Sequence, residues 1–236
     1  MDTPHPLLAE LTRVLGRTGP RSPMALRLCL AFNEIVSADG GSITLGFATP
    51  DRITLCSTDG PAARVEDAQD VLREGPGLDA VRTGVAVCGL SLAEQRLRWP
   101  MLSELLDRGN GGLSLHAFPL APDTAVLGVV CVYQLGERHL EVSTEDAQFL
   151  ANALGVALLG HLDPESMTSE RWTARDRVDQ ATGMVVAQLR VTPADALAVL
   201  RAHAFAHATT VAAVSRWVLD RELDFSDTES GDGTLP

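Results

Sequence analysis

The hydrophobic period changes along the chain, and no other feature restricts the possible folds as strongly. Residues 7–15 and 24–37 carry apolar side chains at the spacing of amphipathic helices. Residues 42–57 switch to the alternation of apolar and polar side chains that is typical of strands. Further strand-like runs and short helical segments follow, and a longer helical stretch begins at about residue 143. We therefore predict an α+β fold in which helices pack on one face of an antiparallel sheet.

The individual elements follow from this periodicity and from the glycines and prolines that interrupt it. Gly40-Gly41 and Thr49-Pro50 are expected to form turns, the second of them joining two antiparallel strands. The predicted strands cover residues 42–48, 51–57, 85–88, 112–120 and 125–135. The predicted helices of this part cover residues 7–15, 24–37, 64–73, 78–82, 100–108 and 143–161.

The dipeptide Asp163-Pro164 predicts a boundary between two modules. A proline inside a helix removes one backbone hydrogen bond and clashes with the preceding turn, which costs about 3 kcal/mol. Asp163 as N-cap and Pro164 as the first helical residue avoids that cost. We expect a break near residues 161–166 and a new helix from about Ser169.

Residues 170–225 contain three amphipathic helices separated by two short breaks. We expect the first to end at about Arg190, the second to begin at Thr192-Pro193, and the third to be capped by Thr209 or Thr210. Three such helices bury little surface alone, so we expect the first to pack against a second copy. The residues predicted to face inward are Val178, Ala181, Val185, Leu189, Ala196, Leu197, Leu200, Ala204, Val211, Val214 and Val218.

The charge is distributed unevenly over these modules. The chain has 236 residues and a net charge of −12, to which residues 170–223 contribute +1 and the remainder −13. An acidic body repels phosphate, so any nucleic acid would bind through the C-terminal segment. The absence of a long apolar run and of a signal peptide pattern favours a cytoplasmic protein without a membrane span.

The predicted domain organisation combines these observations with the tail composition. It comprises an N-terminal helix (1–23), a sensor-type domain (24–162), a linker (163–169), a three-helix module (170–225) and a disordered acidic tail (226–236).

No set of residues in the sequence predicts catalysis, so we do not expect an enzyme. Nucleophile-elbow, phosphate-loop and zinc-protease motifs are absent from the sequence. The four cysteines, Cys29, Cys56, Cys88 and Cys131, lie far apart in apolar stretches and form no CxxC pair. Burial as small apolar side chains is the first interpretation of these thiols, and a thiol sensor is the alternative.

Residues 24–162 resemble a GAF domain, a fold that senses small molecules in signalling proteins. The similarity is carried by REGPGLDAVRTG (73–84), RWP (98–100) and LHAFPL (115–120), in the form seen in actinobacterial regulators. Those regulators often have a cysteine where this chain has Gly77. The resemblance implies a signal-sensing domain and leaves its ligand and any cofactor unknown.

Residues 170–225 resemble the ANTAR domain of antitermination regulators. The similarity is carried by QATGMVVAQLRV (180–191), ADALAVLRAHAFA (194–206) and VAAVSRWVLDRELDF (211–225). It implies a module that binds RNA hairpin loops as a homodimer and prevents a terminator from forming. The chain departs from many relatives at Thr182 and Thr209, where basic residues are common, and in its acidic end.

Within this module we select Arg190, Arg201, His203 and Arg216 as candidate RNA-binding residues. Arginines position phosphates, while splayed bases are read by stacking and hydrogen bonds. The alternative for each arginine is a solvated position on a helix face. His203 and His207 are four residues apart, but without a further ligand they do not predict a metal site. For Trp172 and Trp217, packing is favoured over base stacking.

The resulting hypothesis is a dimeric GAF–ANTAR regulator that binds RNA through residues 170–223. One alternative is a C-terminal module that docks another protein. A second is a ligand-sensing or redox-sensing GAF protein whose C-terminal helices serve only in dimerisation.

Overall fold

The chain forms two compact units, Met1–Leu162 and Asp163–Pro236. The structure, a computed structural model, describes residues 6–17, 22–46, 52–110, 112–123, 125–161, 164–207 and 211–226, without the side chains of 108–110, 164–176, 205 and 212. The first unit contains the helices α1 (Pro6–Arg17), α2 (Met24–Val36), α3 (Gly60–Leu72), α4 (Pro76–Thr83), α5 (Leu92–Arg98), α6 (Pro100–Asn110) and α7 (Thr144–His161). Its strands are β1 (Gly40–Leu45), β2 (Ile53–Ser57), β3 (Leu113–Leu120) and β4 (Gly128–Leu135).

The four strands form one antiparallel sheet in the order β2-β1-β4-β3. The predicted α+β class and the antiparallel sheet are therefore confirmed. Strand β2 lies at one edge of the sheet and pairs with β1. In this pair Ile43 of β1 lies opposite Cys56 of β2. The predicted Thr49-Pro50 turn between these strands lies outside the described residues.

Helices cover both faces of the sheet, whereas the sequence predicted helices on one face. Helices α2 and α7 pack on the face that carries Phe118, whose ring lies 5.7 Å from that of Phe32. Helices α3 and α4 pack on the opposite face, where Ser42 of β1 contacts α3. Residues one apart in a strand point to opposite faces, and every residue of β1 and β3 is buried. The continuous apolar runs of β3 and β4 are thus the mark of a sheet buried on both sides.

Several element bounds differ from the prediction. Gly40 and Gly41 are strand residues that pair with Tyr133 and Val132 instead of forming a turn. A Cβ atom at Gly40 would lie 2.2 Å from the Asp59 carboxylate, so close packing explains this glycine.

Two further differences concern the middle of the unit. Residues 85–88, predicted as a strand, contribute only the isolated bridge from Val87 to Ala117. Helix α5 was not predicted, although Ser91 and Glu94 form a complete capping box at its start.

The second unit consists of three helices, α8 (Pro164–Leu189), α9 (Pro193–Ala206) and α10 (Val211–Leu219). Pro164 is the first residue of α8, so the helix begins before the predicted start at Ser169 and residues 164–169 are helical. Thr209 and Thr210, the predicted caps of α10, lie outside the described residues, as does the tail beyond Ser226.

No single helix among the described residues is long and apolar enough to cross a membrane. By length and composition alone one bent pair, Arg177–Leu189 with Pro193–Ala204, passes the same test jointly across a 104° change of direction.

Candidate nucleic-acid interface

The junction between α8 and α9 is fixed by the backbone at Arg190 and by a cap at Thr192. Arg190 has φ of 56° and donates its N–H to the Val186 carbonyl at 2.9 Å, which ends α8 in a left-handed residue. The Thr192 hydroxyl accepts the Asp195 N–H at 3.2 Å and donates to the Asp195 carboxylate at 2.6 Å. These bonds place the exposed Arg190 side chain at a sharp corner of the module.

The three helices share one apolar core. Its buried members are Ala181, Val185, Ala196, Leu200, Ala204, Val214, Val218 and Phe225. The predicted inward stripes are largely correct, but Val199 rather than Leu197 packs against this core from α9. Val178 is only half-buried and does not join the core.

The segment after α10 folds back onto the module and closes its core. Arg221 has φ of 60°, and the Glu222 N–H donates to the Trp217 carbonyl at 2.8 Å, which reverses the chain after the helix. Phe225 is 7% exposed, and its N–H donates to the Gln188 side-chain oxygen on α8 at 3.3 Å. Neither Gln188 nor this closure was predicted from the sequence, although the apolar residues Leu223 and Phe225 among acidic neighbours indicate a segment that packs.

The candidate RNA-binding residues do not share one helix face. Arg201 is half-buried on α9, and Arg216 is exposed on α10. Arg201 and His203 are two positions apart, which separates their directions by about 200° on a helix. A single RNA backbone therefore cannot contact both side chains from one side of α9.

His203 packs towards the interior of the module. Its ring lies 5.4 Å from that of Phe225 in an edge-to-face arrangement and 4.3 Å from the His207 ring. Burial, reinforced by the His207 ring, lowers the pKa of His203, which favours the neutral ring. This geometry assigns His203 a packing role and leaves the three arginines as the cationic candidates. Within the described part of the chain, no cluster of three His, Cys, Asp or Glu side chains could hold a metal ion.

Acidic side chains dominate the end of the module. Asp220, Glu222 and Asp224 are all exposed, close in sequence to the exposed Arg221. Such a surface repels phosphate, so the α10 end is a poor place for an RNA backbone. The corner at Arg190 and the exposed face around Arg216 are the better positions.

The first unit has a buried polar network between its sheet and α3. The Glu66 carboxylate accepts hydrogen bonds from Ser42 at 2.9 Å, Thr44 at 3.1 Å and Gln69 at 3.1 Å, and it pairs with Arg52 at 2.9 Å. The Arg52 side chain is 1% exposed, so the network is shielded from water. It fills the space between sheet and helix with the chain's own polar groups.

Gly77 touches this network. Its N–H donates to the Gln69 side-chain oxygen at 2.8 Å, and a Cβ atom there would lie 2.7 Å from the Cys131 sulfur. The pocket beside it, lined by Cys131, Tyr133 and others, has room for about one water molecule.

Two titratable groups of this unit have strongly shifted pKa values. Burial lowers the pKa of His116 on β3 to about 4, although the neighbouring Gln134 opposes the shift. Burial raises the pKa of Asp67 on α3 to about 7, with added repulsion from Asp70 and Glu66. Each group is therefore neutral over a pH range in which it would be charged in water.

Comparison with known families identifies the second unit. Residues 168–219 match the ANTAR domain. ANTAR domains are RNA-binding antitermination modules, and the family is regulatory and non-enzymatic. The predicted ANTAR module is thereby confirmed. No curated protein matches the chain significantly.

Proposed function

We propose that this protein is a regulator that binds RNA hairpin loops through its ANTAR domain, as a homodimer, and so causes transcription antitermination. The observation that carries this proposal is the family match over residues 168–219. The folded three-helix core supports it, as does the net charge of +1 over residues 170–223 against −13 for the rest of the chain. The acidic first unit would keep RNA away from every surface but the module.

The arginines at positions 190, 201 and 216 are the residues proposed to contact RNA. Arg190 and Arg216 are exposed, and Arg201 lies at the border between the core and the surface of α9. With a net charge of only +1 over residues 170–223, affinity depends on a few well-placed contacts and on their duplication in a dimer.

Helix α8 is the proposed dimer contact. Gly183 lies in the C-terminal half of this helix on an exposed face, and among the described residues no atom beyond the neighbouring residues and the helix's own backbone comes within 4 Å of a Cβ atom built there. Glycine costs about 1 kcal/mol relative to alanine inside a helix, and packing within one chain does not explain it. Close approach of the same helix from a second copy would explain it.

The first unit is the proposed sensor, of GAF type, in a cytoplasmic protein. A signal acting on this unit would change the relation of the two ANTAR modules in the dimer and thereby the affinity for RNA. The α+β fold with helices on both sides of an antiparallel sheet is compatible with that assignment.

The direct test is a gel-shift titration of the full-length protein against tandem hairpins with short loops. We expect binding that exceeds binding to a scrambled RNA of equal length and that follows the dimer concentration measured by analytical ultracentrifugation. Equal affinity for both RNAs would contradict the proposal and favour a protein-docking module.

Charge reversal separates specific contacts from bulk electrostatics. Arg201→Glu and Arg216→Glu should weaken hairpin binding strongly, whereas Arg64→Glu, an exposed change of equal charge in the first unit, should preserve it. Each lost phosphate contact should also reduce the slope of log affinity against log salt by about 0.7. An equal loss of hairpin affinity in all three variants would indicate a nonspecific charge effect.

A further inference from the structure

Helix α7 is apolar around its whole circumference. Its inner face, which includes Leu150, Leu154 and Leu158, is buried against the rest of the first unit. No charged side chain occurs between Asp146 and His161. A helix that is apolar on all sides is normally buried on all sides, whereas a surface helix turns polar residues outwards. The outward side of α7 therefore has the composition of a protein interior.

The outward side of α7 forms one continuous strip. Six residues lie there within about 120° of arc, since successive helical residues are about 100° apart. Together they are the outer strip of α7: Phe149, Asn152, Ala153, Val156, Leu159 and Gly160. Val156 is 59% exposed, and Leu159 is 52% exposed. The side-chain oxygen of Asn152, the one polar member of the strip, accepts hydrogen bonds within the first unit, from the Gln148 amide at 2.9 Å and the Ala121 N–H at 3.3 Å. The strip thus presents an apolar surface to solvent.

The exposed apolar side chains are concentrated in this part of the first unit. Among the described residues eight large apolar side chains are exposed, and three of them, Phe149, Val156 and Leu159, lie on α7. A fourth, Leu30, lies on α2, which packs beside α7 on the same face of the sheet. Single exposed apolar residues are ordinary, but a cluster of them marks a surface that contacts another molecule.

The spacing of the outer strip fits a helical partner. Phe149 and Val156 are seven residues apart, and Asn152 and Leu159 follow them by three residues each. This is the a and d spacing of a coiled-coil seam, in which each side chain inserts between four residues of the facing helix. The two small residues of the strip leave room for side chains of that helix.

The charge distribution favours a second copy of this chain as the partner. The chain outside residues 170–223 carries a net charge of −13, so two copies repel each other over most of this surface. Residues 147–160 carry no charge, and two acidic bodies can touch there with the least repulsion. A positively charged partner would gain more by binding over the acidic residues than over the strip. A two-fold contact requires only that the strip be complementary to itself.

We propose that two copies of this protein pair through the outer strips of their α7 helices, in a symmetric contact between their first units. The helix has 18 residues and is about 27 Å long. A strip of this length and about 10 Å in width covers less than the roughly 800 Å² per partner of a standard interface. The contact is therefore weak by itself, and Leu30 of the adjacent α2 enlarges it.

This interface goes beyond the proposed function, which places a dimer contact on α8 in the second unit. It does not depend on RNA binding. Where both contacts form in one dimer, each raises the effective concentration at which the other forms.

The test measures the dimer dissociation constant of the full-length protein by sedimentation equilibrium. Val156→Glu and Leu159→Glu place like charges opposite each other in the pair, so each should raise the dissociation constant at least about tenfold. Leu97→Glu is the matched control, because Leu97 is 86% exposed on α5 and lies outside the strip. It should leave the constant unchanged, and equal melting temperatures should show that all three variants fold.

Three results would overturn the proposal. These are an unchanged constant in Val156→Glu, an equal increase in all three variants, and a parent protein that stays monomeric up to about 100 μM.

Gly183→Glu on α8 separates this interface from the proposed dimer contact of the second unit. If Gly183→Glu weakens the dimer and Val156→Glu does not, the α7 interface is refuted and the α8 contact stands. If only Val156→Glu weakens the dimer, the α7 interface stands and the α8 contact fails. Loss in both variants supports both contacts.

The wild-type protein provides a measurement that needs no substitution. Hydroxyl-radical oxidation of Val156 and Leu159, relative to Leu97, is compared at protein concentrations below and above the dimer dissociation constant. We expect protection of the two strip residues only in the dimer. Protection already present in the monomer would show that the same chain covers the strip, and equal oxidation in monomer and dimer would place the contact elsewhere. Either result contradicts the proposal.

Discussion

His116 makes the stability of the first unit sensitive to acid. The ring is 1% exposed on β3, and its Nδ1 atom faces the Gly89 N–H at 3.4 Å. The pKa of His116 is lowered to about 4 in the fold, from an ordinary value of 6.5. As the pH falls below 6.5, the unfolded chain binds a proton that the folded unit does not. The contribution of His116 to stability is therefore complete above pH 6.5 and is lost towards pH 4.

The size of the effect follows from the two pKa values. Linkage gives a loss of about 2 kcal/mol between pH 7.5 and pH 5, because each pKa unit corresponds to about 1.4 kcal/mol. His116→Asn removes the titrating group and retains a side-chain acceptor near the Gly89 N–H. The stability difference between wild type and variant should thus shrink by about 2 kcal/mol on acidification.

Asp67 acts in the opposite direction. Its pKa is raised to about 7 from 3.8. Between pH 7 and pH 3.8 the folded unit therefore binds a proton that the unfolded chain does not bind. Linkage then gives a gain of about 2.5 kcal/mol between pH 7.5 and pH 5. The two groups nearly cancel, and the wild-type protein alone would show little of either effect. Asp67→Asn should make the unit lose stability with acid, whereas His116→Asn should make it gain.

The assay is urea unfolding at pH 7.5 and pH 5, followed by the fluorescence of the buried Trp99. Replacement of Trp172 and Trp217 by phenylalanine confines the signal to the first unit. His161→Asn, at an exposed histidine that ends α7, is the control and should follow the parent protein. If the stability difference between parent and His116→Asn is the same at both pH values, the reasoning from burial is wrong.

Three further substitutions test close packing and backbone strain. Gly77→Ala should destabilise the first unit by about 1–3 kcal/mol in urea, because the new methyl group meets the Cys131 sulfur, whereas Gly60→Ala at an exposed helix start should not. Phe225→Ala should cost the second unit about 3 kcal/mol in urea, and an unchanged midpoint would show that the closing segment does not stabilise it. Arg190→Gly relaxes a left-handed residue, so the melting temperature should hold or rise while hairpin affinity in gel shifts falls. A decrease in both the melting temperature and the hairpin affinity would show that Arg190→Gly acts through folding.

The periodicity of the sequence was sufficient for the sheet and for the three C-terminal helices. The strands near residues 42 and 115 and the stripe at Ala181 and Val185 follow directly from local patterns. The second helical layer could not be predicted in this way, because a short apolar run does not show whether helices cover one face of the sheet or both. The role of Gly40 depends on Asp59, which only the folded chain brings close.

The candidate RNA residues illustrate the same limit. His203 was selected as a polar residue on a helix, but its environment depends on Phe225, which returns from beyond the next helix. The left-handed conformation of Arg190 was equally hidden, since arginine carries no local preference for positive φ. In contrast, helix α5 could have been predicted from the capping box at Ser91 and Glu94.

The position of β2 at the edge of the sheet also determines how quickly its interior becomes accessible. An edge strand is held by hydrogen bonds to one neighbour, here β1, so it can separate while the rest of the sheet stays intact. Hydrogen exchange at the β2 amides should therefore be faster than at the amides of β1 and β4, which have a neighbouring strand on each side.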